Sequence, residues 1–334
     1  MKKILLIIVI AGFLLIVPAC AQKEDTINNT ALEPQGSNGS HTEQSKAYEQ
    51  VQYIVTQNYG QTMLLDKKVT YQQDTNIMDG LLEAGAELET SYGGGFVSGL
   101  NGLNTENGGI TGERNDWFYY VNGIFADCGA LDYSPQPGEK VWWDYHPWTS
   151  SQGSAAVIGC FPEPFLHGFR GQVKETIILA VSEEMEKAVE LQKDLQDQGV
   201  CAVSVKEIAI ELLKDRNGPS IAIGEWKALE QFSWFKEFNA AYQRNGTFLH
   251  FTDDGLELLD YKGEIVSVIQ GSAGVIMATG EGNGDDSPLW IITGTDRSGT
   301  EAALEILIAH PEQIWASYGA VVLPEEIIKL PLMR

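Results

Sequence analysis

The stretch Trp117-Phe118-Tyr119-Tyr120-Val121-Asn122-Gly123 decides how the chain is read. Aromatic and β-branched side chains in succession fit a pleated strand better than a helix. The Asn-Gly pair that ends the run is a tight-turn signal, because both residues tolerate positive φ. Downstream, Gly129-Ala130-Leu131-Asp132-Tyr133 leads to a Pro137-Gly138 turn, and Lys140-Val141-Trp142-Trp143-Asp144-Tyr145 reads as a further strand. Upstream, Tyr92 to Gly102 is a glycine-rich strand and turn. Before it, Thr75-Asn76 is placed to cap a helix with Ile77, Leu81 and Leu82 on one face, ending near Gly85. One helix among short strands predicts a small β-grasp-like α+β domain, assigned to residues 51–150.

The N-terminus follows a different logic. Lys2 and Lys3 precede an apolar run from Ile4 to Val17 and the sequence Val17-Pro18-Ala19-Cys20, which is the pattern of an exported lipoprotein signal (1–20) with Cys20 as the lipidated residue. An apolar run this short is a poor membrane span, which needs about 20 residues. Residues 21–50 are polar and are read as a flexible tether. The expected location is the extracellular face of the cell membrane, with the membrane met through the lipid anchor.

Beyond a linker at 151–172, residues 173–334 read as an α/β domain of unknown function. Thr176 to Val181 is an apolar strand, Glu183 to Gln198 a helix, and Val200 to Val205 a second strand, together a βαβ unit. Pro288 to Gly294 repeats the pattern, with a turn at Thr295 to Thr300 and a helix over Glu301 to Ala309. Antiparallel strands are expected between Gly246 and Ile276, turning at Asp253-Asp254-Gly255 and Lys262-Gly263.

The chain carries 22 basic and 46 acidic residues, a formal charge of −24, which repels nucleic acid and anionic headgroups. Cys128, Cys160 and Cys201 lack zinc-site spacing; a Cys128–Cys160 disulfide and three free thiols both remain open. No nucleophile elbow, metalloprotease helix or ligand-spaced histidine pair is present, so no catalytic, metal or cofactor residue is assigned and no enzyme is expected. His146 is read as a surface or turn histidine, with a cobalt or base role as the alternative. The acidic loop Gly280 to Asp286 reads as an exposed hairpin loop, with calcium as the alternative. The turn Gly294 to Thr300 reads as helix capping rather than an anion site.

The ordered set of the helix Asn76 to Leu82, the turn Ser98-Gly99-Leu100-Asn101-Gly102, the strand Trp117 to Gly123, Gly129-Ala130 with Tyr133, and Pro137 to Val141 resembles the C-terminal β domain of transcobalamin and intrinsic factor, and bacterial surface domains related to it. The resemblance covers about a quarter of the chain. It implies a corrinoid (cobalamin-like) ligand, held by Ser98, Leu100, Asn101, Trp117, Tyr119, Tyr120 and Asn122, and a membrane importer as the recipient. The large helical barrel that completes the clamp in the vitamin carriers has no counterpart here. The alternatives are a cell-surface adhesion or protein-interaction scaffold without a small-molecule ligand, and an extracellular enzyme with its site in the α/β domain.

Overall fold

The computed structural model describes residues 50–107, 114–149 and 153–333. Up to residue 49, the segments expected to be an export signal and a tether, with Cys20, lie outside the described residues. Within them, no helix is long and apolar enough to cross a membrane.

The first unit opens with a hairpin of β1 (Gln50–Gln57) and β2 (Thr62–Thr70). Helix α1 (Ile77–Glu83) follows, closed by a capping box: Asp79 N donates to the Asn76 side chain at 3.0 Å, and Asn76 N donates to the Asp79 carboxylate at 3.3 Å. Ile77 and Leu81 are buried as expected. Leu82 is 56% exposed, because one turn of a short helix presents only one flank to the sheet. Gly80 sits where a Cβ would fall 1.8 Å from the Tyr53 hydroxyl, so the helix lies directly on β1. A side sheet of β3 (Leu88–Ser91), β4 (Phe96–Leu100) and β5 (Leu103–Asn104) comes next. After it run β6 (Glu106–Asn107), β7 (Arg114–Val121), β8 (Ile124–Phe125) and β9 (Lys140–Pro147). The main sheet is ordered β2-β1-β9-β7-β6, with β8 on β7. β1 and β9 pair in parallel at its centre, and β7 is antiparallel to β9. A hairpin, a helix packed on the sheet and a central parallel pair make the β-grasp arrangement, and the chain is α+β.

The second unit is built on a 7-stranded sheet. Its strands are β10 (Thr176–Ala180), β11 (Val203–Glu207), β12 (Ser220–Ile223), then β16 (Gly274–Thr279), β17 (Leu289–Gly294), β18 (Gly319–Val322) and β19 (Ile327–Leu330), in the order β11-β10-β12-β17-β16-β18-β19. The meander β13 (Leu249–Thr252), β14 (Gly255–Leu259), β15 (Ile265–Ile269) forms its own sheet. Helices α2 (Met185–Asp197) and α6 (Arg297–Ala309) bury Ala188, Leu191, Leu195, Ala303, Leu304 and Leu307 against one face. The other face carries α3 (Ile210–Lys214), α4 (Trp226–Leu229), α5 (Ser233–Ala240) and the meander, giving three layers. β11 starts three residues later than Val200. Helix α6 starts one turn earlier than expected, because the Asp296 carboxylate accepts the Gly299 N–H at 2.8 Å.

The two units share a core. Residues alternate along each strand of the first sheet. Val51, Tyr53, Val121, Val141 and Trp143 face α1 and the side sheet. Ile54, Tyr120 and Trp142 face the other way, into the same cluster as Phe248, Leu259, Met277 and Tyr318 of the second unit. The segment between the units is packed as well: Val157 and Cys160 join this shared cluster, and Ile158, Phe161 and Phe165 join the one under α2 and α6.

Candidate binding site at the seam between the two units

Where β7 and β9 meet the second unit, the alternation of strand side chains sends Phe118, Tyr120 and His146 into a chamber of about 520 Å³. The first unit also contributes Tyr59, Phe125 and Trp148 to its wall. From the second unit come Trp234, Phe238, Phe248 and Tyr318, with Arg216, Arg244 and the loop Thr279 to Asn283 at the margin. Mostly aromatic walls with a few placed polar groups are the composition of a small-molecule site.

Hydrogen bonds at the seam fix these walls. Asp144, fully buried, accepts from the Thr56 hydroxyl at 2.5 Å, Tyr59 N at 2.9 Å, Gly60 N at 3.0 Å and the Tyr318 hydroxyl at 3.4 Å. Trp142 Nε1 donates to Thr56 at 2.7 Å and extends the network. The Tyr120 hydroxyl donates to the Ser154 carbonyl at 3.2 Å, and Tyr59 to the Pro147 carbonyl at 2.6 Å. Burial raises the pKa of the Tyr59, Tyr120 and Tyr318 hydroxyls, so they remain donors throughout the physiological range.

The His146 ring is stacked between Tyr59 at 3.9 Å and Phe118 at 4.4 Å. Burial lowers its pKa against the pull of Asp144, so the ring is neutral near pH 7. Its Nδ1 lies 2.9 Å from the Pro147 carbonyl, which puts the proton there and leaves Nε2 a bare acceptor. That Nε2 is buried without a hydrogen-bond partner, 4.0 Å from Asp144.

On the opposite face of β7, Trp117 and Tyr119 border a second, shallower hollow of about 450 Å³, with Phe96, Asp127 and Trp143. Phe118, Phe125 and Asn283 border both hollows. The seven residues expected to hold a ligand are therefore not brought together. Trp117 Nε1 donates to the Leu103 carbonyl at 3.0 Å, and the Tyr119 hydroxyl donates to the Cys128 carbonyl. Tyr120 belongs to the seam chamber. Leu100 is fully buried in the first unit's core, and Asn101 caps Glu87 N from an exposed turn at 2.8 Å. Ser98 borders neither hollow, and its carbonyl accepts Thr105 N at 2.8 Å. Asn122 is fully buried: its Nδ2 donates to the Gly168 carbonyl at 2.7 Å and its Oδ1 accepts Lys140 N at 2.8 Å.

The remaining candidates resolve locally. Cys128, Cys160 and Cys201 are separate thiols, so the Cys128–Cys160 bridge does not form; burial pushes the Cys160 thiol up to about 12. In the acidic loop, the Asp285 carboxylate accepts Glu281 N at 2.8 Å and Ser287 N at 3.0 Å, which ties the hairpin together. Asp296 in the turn after β17 caps α6. Among the described residues, no group of three or more His, Cys, Asp or Glu is placed to hold a metal ion.

An α+β architecture with an aromatic chamber where its two units meet defines the class of the molecule. Residues 74–147 match a family described only as a domain of unknown function (DUF4430). The match begins after β1 and β2, although β1 is a central strand of the same sheet. No curated protein matches the chain.

Proposed function

We propose that the chain is an extracytoplasmic lipoprotein, anchored through Cys20, that captures a corrinoid and passes it to a membrane importer. The observation that carries the reading is the aromatic chamber of about 520 Å³ at the seam. A β-grasp domain of the transcobalamin type offers one wall to its ligand. Here Trp234, Phe238 and Phe248 of the second unit line the same chamber as Phe118 and Tyr120, so both units meet the part of the ligand that enters it. The adjoining hollow, with Trp117 and Tyr119, offers the broad ring an apolar surface on the far side of the shared wall of Phe118 and Phe125. Burial between two prebuilt walls limits the ordering cost of binding.

The test is calorimetry of the full chain in detergent with cyanocobalamin and cobinamide, together with corrin absorbance co-eluting on gel filtration. Micromolar or tighter binding that weakens in Trp234→Ala, whose partly buried ring lines the chamber, measured below that variant's melting transition, supports capture. No binding of either compound at high micromolar concentration rejects it. A protein-interaction scaffold is the second reading, favoured by β15: its Ile265, Val266 and Val268 are 45%, 37% and 46% exposed at the edge of the meander.

A further inference from the structure

The charge around the seam chamber runs against that of the chain. The protein has 22 basic and 46 acidic residues, yet the charged residues bordering the chamber are Arg216, Arg244 and the single carboxylate of Glu281. Arg216 is the informative one. Its side chain is only 4% exposed, and its guanidinium is held by two backbone carbonyls: Nε donates to Ser287 at 2.9 Å, and Nη1 donates to Leu213. Nη2 faces Glu281 at 3.8 Å, too long for a hydrogen bond, from a side chain that is 76% exposed. Burial lowers the Arg216 pKa, while Asp285 and Glu281 act in the opposite sense. The Asp285 oxygens are already taken by the backbone N–H groups of Glu281 and Ser287. A rigid, buried guanidinium with one face loosely neutralised from solvent is set up for an incoming anion, because its orientation is fixed before the anion arrives. Beside it, Trp234 and Phe238 stack at 5.1 Å with 12° between their planes, and Phe118 faces the same chamber.

We propose that the chamber takes a planar heteroaromatic base joined to a phosphate, with the phosphate on Arg216 Nη2 and the base among Phe118, Trp234 and Phe238. A volume of about 520 Å³ accommodates a mononucleotide but not a whole corrinoid. The inference rests on the corrinoid reading for its choice of source: the base and phosphodiester are those of a complete corrinoid's nucleotide tail, the ring itself lying outside the chamber against Trp117 and Tyr119. A free mononucleotide carries the same chemistry.

The test titrates the full chain in detergent with cyanocobalamin, with cobinamide, which lacks the base and phosphate, and with adenosine monophosphate. Cyanocobalamin is expected to bind roughly ten to a hundredfold more tightly than cobinamide, the worth of a charge-assisted hydrogen bond with stacking, and Arg216→Gln should erase that preference. Equal binding of the two corrinoids overturns the inference and leaves the corrinoid reading standing. Arg216-dependent binding of adenosine monophosphate alone rejects the corrinoid reading and keeps the chamber's ligand class. No binding of any of the three rejects both. Arg216 also holds two carbonyls, so Glu281→Ala supplies a variant that leaves the fold intact. Removal of the competing carboxylate should tighten the base-phosphate ligand by roughly two to fivefold. Unchanged or weaker binding in Glu281→Ala overturns the inference.

Discussion

Replacing Glu139 by Gln should flatten part of the protein's response to pH. Glu139 is fully buried at the start of β9. Its carboxylate accepts from Gln136 N at 2.9 Å and Gly171 N at 3.4 Å, and its two oxygens lie 3.1 Å and 3.3 Å from the Tyr133 hydroxyl. Burial outweighs these donors and raises its pKa from 4.5 to about 7. In the folded chain the proton is therefore retained across a window in which the unfolded chain loses it. Stability from this group is full below 4.5, drains as pH rises toward 7, and is constant above. The total is about 3 kcal/mol, at 1.36 kcal/mol per pKa unit. Because the sequence pI is near 4.5, measurements belong above it. Between about pH 5.5 and about pH 8.5 the loss amounts to about 2 kcal/mol. Urea denaturation followed by tryptophan fluorescence, at several pH values for wild type and Glu139→Gln, reads the difference directly. Burial lowers the His167 pKa, but its contact with Glu163 at 2.6 Å raises it overall, so His167 also loses stability with rising pH. That contribution is common to both chains and cancels to first order. A wild-type-minus-variant stability that stays constant across the range would refute the reasoning.

Two further outcomes follow from the geometry. Asn122→Ala should cost about 3 kcal/mol in the same denaturation assay, because it strands the Gly168 carbonyl and the Lys140 N–H and leaves a Cβ-bearing residue at φ 53° without its polar contacts. A cost under about 1 kcal/mol would show that these two hydrogen bonds add little to the stability of the turn. Gly60→Ala places a Cβ 1.8 Å from the Ala316 carbonyl oxygen at φ 79°, and should lower the melting temperature of both units together, read by calorimetry as a single shifted transition.

Much of the fold was legible because local signals agreed. The aromatic alternation of Trp117 to Val121, the Asn122-Gly123 turn and the Asn76 cap each point to one local structure, and each is realised. β1 and β2 were harder to read. Gln50 and Gln57 flank a short apolar centre, and Thr62–Thr70 is largely exposed, so neither strand carries a clear period. The site was less legible still. Period-two alternation separates Trp117 and Tyr119 from Phe118 and Tyr120, but it does not say which face meets a second unit, and the chamber exists only through that meeting. An asparagine in a turn beside aromatics looks the same in sequence whether its amide serves a ligand or, as at Asn122, two backbone groups. Arg216 gave no signal, since its meaning comes from burial and from Ser287, distant in the chain.

The family match at 74–147 stops short of β1, the strand lying between β2 and β9. A fragment cut at those limits would not be a smaller copy of the first unit. It would present β9 as a raw edge, with unpaired backbone groups along Lys140 to Tyr145, the former partners of Gln52 to Gln57. It would also bare Tyr120 and Trp142, side chains normally covered by Tyr318 and Phe248. Such a piece would be sticky on an edge and on a face at once, and its natural fate in solution is self-association. For anyone transplanting this module, the workable boundary lies upstream of Gln50, and the partner unit has to travel with it.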